Sequence, residues 1–372
     1  MIASAMTGVD VVAIESIDVA AYTVPTDAPE RDGTLSWGAT TIVVVHAHAD
    51  DKCGLGYSYA DVATAKLVQS KLADVVCGMD ALSPPSAWSA MVQAIRNLGR
   101  PGVCSMAIAA VDVALWDLKA RLLNVALCDL LGMVRESVPL YGSGGFTSYT
   151  DERLERQLAG WVEQGLAAVK MKIGSDPGSD QERVRRARGA IGEQVELFVD
   201  ANGAYQRKQA LCLADTFAEQ AGVSWFEEPV SSDDLEGLRL LRDRAPASMA
   251  IAAGEYGYDT PYFARMLAAG AVDVLQADVT RCAGITELQR VDALCAASQY
   301  PLSLHCGPAI HAHPASSLTK LAHVEYFHDH VRIEQMLFDG VLEPREGVLW
   351  PDRSRPGMGL ELKSAEAERY AA

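Results

Sequence analysis

The order of apolar and polar positions divides the chain into a strand-rich start, a helical segment and a long series of short strands and helices. Residues 41–48 are β-branched and end in alternation, and residues 55–59 follow after a turn-like segment, which predicts a β-hairpin. Residues 25–33 are rich in turn-forming residues and predict a loop. Between residues 62 and 131 apolar positions recur with the period of an amphipathic helix. The start of the chain is therefore predicted to combine strands with helices.

After Pro139 the rhythm changes, and short apolar strands alternate with longer helical segments. This alternation is typical of repeated βα units and a parallel sheet. Eight strands are predicted, at residues 138–141, 169–173, 197–200, 225–227, 250–255, 274–278, 302–305 and 323–326. Their number and spacing suit a TIM-type barrel. From about residue 339 proline, glycine and arginine break the rhythm, and we expect this tail to pack back on the N-terminal part.

Length and composition limit the class of protein. A chain of 372 residues suggests two domains, or one barrel with an addition. No apolar run reaches the roughly 20 residues of a membrane span, and residues 1–6 lack the basic start and apolar core of a signal peptide. The net charge of −17 makes nucleic acid and anionic membranes poor partners, but it does not exclude an anionic small molecule. The eight cysteines form no CxxC pair, so we expect buried free thiols in a reducing cytoplasm.

Polar residues capable of acid, base or ligand chemistry end the predicted strands from the second onward. Four of the steps between them are 27 or 28 residues long, which is one βα unit each. Such spacing places the side chains around one C-terminal rim, where barrel active sites lie. These residues are Lys172, Asp200, Glu227, Glu255, Asp278 and His305.

Asp200, Glu227 and Glu255 bring three carboxylates to adjacent strand ends. Without a cation they would repel each other, and at least one would take up a proton. A hard divalent cation removes that conflict, and ligation by oxygen alone suits Mg²⁺. The alternative is that the three acids are unrelated salt-bridge partners. The regular spacing at strand ends makes this interpretation the less favoured one.

Lys170 and Lys172 share one face of the second strand, because side chains alternate along a strand. Their mutual repulsion is expected to lower the pKa of at least one ammonium toward a value at which the amine is a base. The alternative is an edge strand with a solvated polar face.

His305 and Asp278 end neighbouring strands, and a carboxylate beside an imidazole supports a general acid or base. Histidines also recur two residues apart at positions 311 and 313 and at positions 328 and 330, but no further ligand frames either pair, so loop positions are expected. Lys172 and His305 would approach a metal-bound carboxylate substrate from opposite sides of the barrel. Removal of its α-proton would give an enediolate whose charge the metal stabilises.

With these strand-end residues the chain resembles the enolase superfamily and, within it, the mandelate racemase subgroup. The match extends over nearly the whole chain and is highly specific as a set. It rests on the motifs Lys170-Met171-Lys172, Val199-Asp200-Ala201-Asn202, Trp225-Phe226-Glu227-Glu228-Pro229, Gly254-Glu255, Asp278 and His305.

The resemblance implies an α/β fold: an α+β capping domain (residues 1–135), a modified (β/α)7β TIM-type barrel (136–338), and a tail (339–372) that completes the capping domain. It also implies one Mg²⁺ and an even-numbered homo-oligomer. In the family pattern Asp200, Glu227 and Glu255 match the metal ligands, Lys172 the base, Lys170 its tuning neighbour, and Asp278 with His305 the catalytic dyad.

The resemblance also implies substrate contacts by Asn202, Glu325 and Arg281. Members that cycloisomerise muconate or epimerise dipeptides carry a lysine base three residues after the position of Asp278. Here that residue is Arg281, which stays protonated and is a poor base, so those activities are less favoured. Residues 23–37, Tyr57 and Tyr59 are expected to contribute to the pocket.

Three functions remain open. The leading one is a lyase that removes the α-proton of an aldonate or aldarate and eliminates the β-hydroxyl to give a 2-keto-3-deoxy acid. The second is a racemase or epimerase of a 2-hydroxy acid that uses Lys172 and His305 as its two bases. The third is a non-catalytic binding protein, which the filled acid, base and ligand positions disfavour.

Overall fold

The computed structural model describes residues 11–372, so the predicted absence of a signal peptide at residues 1–6 lies outside the described part. An antiparallel sheet opens the fold, with strands β1 (Ser16–Arg31), β2 (Ser36–Ala49) and β3 (Lys52–Tyr59) in that order. The predicted hairpin is confirmed, since Val43 pairs with Ser58 across β2 and β3.

The predicted loop at residues 25–33 is wrong over most of its length. Strand β1 continues to Arg31, with a register shift between Pro25 and Glu30, where Glu30 pairs with Trp37. Glu30 is fully buried and accepts a hydrogen bond from Trp37 Nε1 at 2.8 Å. This buried contact holds turn-forming residues in an extended ribbon.

Helix α4 (Val103–Leu122) is almost completely buried and packs across the N-terminal sheet. Its alanines allow close contact with the glycines of β3: a Cβ atom on Gly54 would lie 2.2 Å from Ala114 O, and one on Gly56 would lie 2.2 Å from Ala110 O. The helices of this unit are α1 (Val62–Leu67), which continues through a π-helical turn (Val68–Leu72) into α2 (Ala73–Val76), then α3 (Pro84–Ala94), α4 (Val103–Leu122) and α5 (Leu127–Leu131).

Eight parallel strands form a closed barrel, because the last strand, β11 (Leu321–Phe327), pairs with both β10 (Leu302–Leu304) and β4 (Val138–Gly144). All eight predicted strands are present. The barrel strands are β4 (Val138–Gly144), β5 (Ala168–Lys172), β6 (Glu196–Asp200), β7 (Val223–Glu227), β8 (Ala250–Ala253), β9 (Val274–Ala277), β10 (Leu302–Leu304) and β11 (Leu321–Phe327). A helix follows each strand: α6 (Asp151–Glu163), α7 (Pro177–Ile191), α8 (Arg207–Ala221), α9 (Leu235–Arg244), α10 (Thr260–Ala268), α11 (Ile285–Ser298), α12 (Pro308–Ala315) and α13 (His328–Leu337).

Aromatic side chains fill the barrel interior below the strand ends. Phe198 stacks on Trp225 at 5.1 Å between ring centroids, and Tyr141 packs on Phe198 at 5.4 Å. Trp225 Nε1 donates a hydrogen bond to Glu227 Oε2 at 3.1 Å, and Tyr141 Oη lies 3.5 Å from Lys170 Nζ. This layer therefore closes the floor under the polar strand ends.

The last part of the chain contacts both the N-terminal unit and the barrel. It contains β12 (Phe338–Asp339), β13 (Val348–Leu349), β14 (Glu361–Leu362), α14 (Ser364–Ala367) and a 3₁₀ turn (Glu368–Tyr370). Strand β13 pairs with β4. Met358 N donates to Asp117 Oδ1 at 2.6 Å, and Arg121 pairs with Glu361 at 2.6 Å.

None of the helices within residues 11–372 is long and apolar enough to span a membrane. All eight cysteines are free thiols, but the predicted burial is wrong for three of them, because Cys77 and Cys212 are exposed and Cys53 is partly exposed.

Candidate active site

The pairing of neighbouring strands places the three predicted ligand carboxylates side by side. Lys172 is the register partner of Asp200, and Asp200 is the partner of Glu227. Glu255 lies two residues beyond the end of β8. Oxygen atoms of Asp200, Glu227 and Glu255 all lie within 4.8 Å of one another, and the three residues are buried. Glu228, the next residue after Glu227, does not belong to this group of oxygen atoms.

The donor chemistry of this set fits a hard divalent cation. All three donors are carboxylates, which is the ligand type that Mg²⁺ prefers. Burial and the neighbouring Asp200 carboxylate raise the pKa of Glu227 well above its ordinary value, although the Lys170 ammonium opposes this. The three carboxylates therefore cannot all stay ionised at low cost without additional positive charge.

The two lysines of β5 contact these carboxylates. Lys172 Nζ donates to Asp200 Oδ2, while Lys170 Nζ lies 2.7 Å from both oxygens of Glu227 and 2.9 Å from Glu325 Oε1. Burial disfavours both ammonium groups, but the carboxylates outweigh it and raise the pKa of each lysine well above its ordinary value. The predicted fall in the pKa of at least one lysine is therefore wrong: the charge of Lys170 does act to lower the pKa of Lys172, but the carboxylates outweigh it.

His305 forms the predicted pair with Asp278, at 2.8 Å between Nδ1 and Oδ2. The other oxygen of Asp278 accepts from the backbone and hydroxyl of Thr280, at 2.7 and 2.8 Å. Burial opposes ionisation, but the hydrogen bond and charge of His305 hold the pKa of Asp278 well below its usual range. With Nδ1 held in this way, Nε2 of His305 is directed toward Glu255 Oε2, 3.3 Å away.

The three predicted substrate contacts occupy different positions. Asn202 and Arg281 line the cavity at the strand ends, whereas Glu325 is fully buried and is held by Lys170 and by the backbone N–H of Cys306 at 3.1 Å. Arg281 Nη1 lies 3.2 Å from Glu255 Oε1. The side-chain oxygen of Asn202 is buried and has no hydrogen-bond partner among residues 11–372.

A cavity of about 400 Å³ opens above the carboxylates, between the barrel rim and the N-terminal unit. Of the residues expected to line it, Asp32, Leu35, Trp37 and Tyr59 do so. Tyr57 instead packs inward and donates a hydrogen bond to Glu334 at 2.7 Å. The lining from residues 11–135 is formed by Asp32, Leu35, Trp37, Ala39, Thr40, Thr41, Tyr59, Ala60 and Asp61.

Several lining residues were not predicted from the sequence. His330 stacks on Tyr59 with 3.4 Å between ring centroids, and Cys306 lies beside His305. The expected loop positions of the paired histidines are wrong, because His311 belongs to buried helix α12 and His330 to α13. For Cys306 a sequence signal was available: it directly follows His305, so it lies at the same rim of the barrel.

Comparison with known proteins identifies the family. Residues 16–132 match the mandelate racemase / muconate lactonizing enzyme N-terminal domain, and residues 153–367 match the enolase C-terminal domain-like family. An L-talarate/galactarate dehydratase from Salmonella typhimurium is 28% identical over 369 residues, 96% of this chain and 90% of that protein. An arabinonate dehydratase from Saccharolobus solfataricus is 30% identical over 76% of this chain and 77% of its own.

Solved structures are also similar to this chain. A mandelate racemase/muconate lactonizing enzyme-like protein from Rubrobacter xylanophilus has a TM-score of 0.95 and 59% identity, covering 97% of this chain and 100% of that one. The Salmonella dehydratase liganded with Mg and L-lyxarohydroxamate has a TM-score of 0.90 and 25% identity, covering 100% and 96%. Together with the two domain matches, these similarities show that the chain belongs to the mandelate racemase / muconate lactonizing enzyme family of the enolase superfamily.

Proposed function

We propose that this protein is a Mg²⁺-dependent hydro-lyase that converts a sugar acid to a 2-keto-3-deoxy acid. The observation that carries the proposal is the presence of two proton-transfer groups at one carboxylate cluster: Lys172 contacts Asp200, and His305 contacts Glu255. Two relatives bear the names of sugar-acid dehydratases, and one of them binds Mg and a sugar-acid analogue in its crystal structure.

Asp200, Glu227 and Glu255 would hold the cation. When bound there, Mg²⁺ would attract the substrate carboxylate and stabilise the negative charge that develops beside it as the α-proton leaves. It would also offset the attraction of the carboxylates for the ammonium of Lys172, and so favour the neutral amine that a base requires.

The proton transfers are assigned to Lys172 and His305, which both line the cavity. Neutral Lys172 would accept the α-proton, and the electron pair of the broken C–H bond would form the enediolate. Collapse of the enediolate would break the bond to the β-hydroxyl, which would take a proton from His305 and leave as water. Tautomerisation of the resulting enol gives the 2-keto acid. Asp278 would keep His305 oriented throughout through Nδ1.

The character of the cavity favours dehydration over racemisation of an aromatic 2-hydroxy acid. Thr40, Asn202 and Tyr256 contribute polar groups to the lining, as do Asp32 and Asp61. A substrate with several hydroxyls can use such groups, whereas an aromatic substrate needs a continuous apolar wall. Leu35, Trp37 and Phe327 give only part of such a wall.

The charges of the lining favour an aldonate over an aldarate. Within residues 11–135 the lining includes two carboxylates, Asp32 and Asp61, and neither Lys nor Arg. On the barrel side the only Lys and Arg side chains of the lining, Lys172 and Arg281, are already paired with Asp200 and Glu255. A second substrate carboxylate would therefore meet negative charge and find no free cation.

Screening of an acid-sugar library with Mg²⁺ tests the proposal, with detection of 2-keto acid product and of α-proton exchange in D₂O. We expect product formation from at least one aldonate and its loss on chelation of the metal. Exchange without 2-keto product would favour the racemase, and the absence of exchange for every 2-hydroxy acid tested would favour a non-catalytic protein.

A further inference from the structure

A thiol, an imidazole and a carboxylate meet in one buried cluster at the cavity wall. Cys306 Sγ lies 3.1 Å from His305 Nε2 and 3.5 Å from Glu325 Oε2, and the last two atoms are 4.0 Å apart. All three residues are buried. A mixed set of sulfur, nitrogen and oxygen donors is typical of Zn²⁺ sites, whereas Mg²⁺ prefers oxygen alone.

The distances within this cluster are close to those of a tetrahedral zinc site. With Zn–S of about 2.3 Å and Zn–N or Zn–O of about 2.1 Å, ligand atoms lie about 3.4 to 3.6 Å from one another. The three observed separations differ from these values by about 0.6 Å or less, which small side-chain rotations can supply.

Neighbouring groups hold two of the three donors in the orientation that a metal requires. Asp278 accepts the hydrogen bond of His305 Nδ1, which leaves Nε2 as the ligand atom, and a carboxylate behind a histidine is a common arrangement at zinc. The backbone N–H of Cys306 fixes Glu325 Oε2 at 3.1 Å. His305 and Cys306 both line the open cavity, so an ion can enter and a fourth position remains for water.

We propose that His305, Cys306 and Glu325 form a second metal site that takes a soft divalent cation, Zn²⁺ or Cd²⁺. It is distinct from the all-carboxylate set that suits Mg²⁺. Binding replaces the S–H bond of Cys306 by a metal–sulfur bond and releases that proton to solvent. The ion also takes the Nε2 electron pair of His305, and any proton that Nε2 carries is likewise released to solvent. Inhibition of turnover by soft metals in the presence of Mg²⁺ is then expected, and this consequence alone rests on the proposed function.

Titration of the Mg²⁺-loaded protein with Cd²⁺ tests the site without reference to activity, through the ultraviolet charge-transfer band of a thiolate bound to cadmium. We expect a band that saturates at one equivalent, that excess Mg²⁺ does not displace, and that weakens at least tenfold in Cys306→Ser. Cys306→Ala serves as a second variant, with near-ultraviolet circular dichroism to verify folding.

Cys53→Ser is the matched control, because Cys53 Sγ also lies near a histidine, 4.0 Å from His48 Nε2 in the N-terminal sheet. This variant should keep the band. A band of full strength in both Cys306 variants, or no band in the wild type, would overturn the proposal. Because the band reports binding alone, a protein inactive on every sugar acid could still confirm or refute the site.

Discussion

Replacing Glu30 by glutamine should stabilise the fold at neutral pH. Glu30 is fully buried under Trp37, whose Nε1 donates to Oε2, and its other oxygen has no hydrogen-bond partner among residues 11–372. Burial and the carboxylate of Asp329 raise the pKa of Glu30 from 4.5 to about 8, while Trp37 and Arg332 oppose the rise. At pH 7 the folded protein therefore keeps a proton on Glu30 that the unfolded chain has released.

The direction of the pH dependence follows from that proton. Between pH 4.5 and 8 the folded state binds more protons than the unfolded state, so the free energy of unfolding falls as pH rises. The slope for one proton is about 1.4 kcal/mol per pH unit, and the loss over the whole window approaches about 5 kcal/mol. Glutamine keeps an acceptor for Trp37 Nε1 and removes the titration.

Urea unfolding of the wild type and Glu30→Gln at pH 6, 6.5, 7 and 7.5 measures this difference. The advantage of the variant should grow by about 1.4 kcal/mol for each pH unit. Glu193→Gln, at an exposed position, serves as the control and should change the free energy of unfolding equally at every pH. Parallel curves for the wild type and Glu30→Gln would show that the folded protein does not hold the proton.

Three further predictions concern the site. Lys172→Ala and His305→Asn should each slow turnover of the identified substrate by about 10²- to 10⁴-fold, measured as initial rates, and full turnover in Lys172→Ala would contradict the proton-transfer scheme. Glu227→Gln should weaken Mg²⁺ binding by at least about tenfold in calorimetric titration, and unchanged affinity would remove Glu227 from the ligand set. Asp61→Asn should raise kcat/KM for an aldarate about fivefold, the effect of about 1 kcal/mol of repulsion, with aldonate turnover as the reference. Asparagine also caps helices, so α1 should be retained, and an unchanged aldarate rate would show that Asp61 does not repel the second carboxylate.

Much of the fold could be predicted because barrel strands are buried on both faces and read as short apolar runs. Strand β5, for example, is buried at every position, including both lysines. The site residues were predictable for the same reason, since a polar residue that ends such a run must lie at the rim. The register of the neighbouring strands then brings these residues into contact, because it places Lys172 beside Asp200 and Asp200 beside Glu227.

Contacts between distant segments explain what the sequence did not reveal. The turn-forming residues before Glu30 suggest a loop, but burial against Trp37 overrides that local preference. Helix α12 was missed because it is buried on all sides and lacks an amphipathic pattern. The pKa of Lys172 was expected to fall because its sequence neighbour is Lys170, whereas the carboxylate that dominates lies one strand away.

The charges of the whole cluster explain why these residues occur together. Five acids contact three Lys and Arg side chains. With every acid ionised, these three side chains charged and His305 neutral, the cluster carries two excess negative charges. Protonation is one way to reduce that excess, and burial and the Asp200 carboxylate favour it at Glu227 by raising its pKa. A single divalent cation would cancel the excess while every carboxylate stayed ionised, which is the form that ligation requires. The eight residues counted are Asp200, Glu227, Glu255, Asp278, Glu325, Lys170, Lys172 and Arg281.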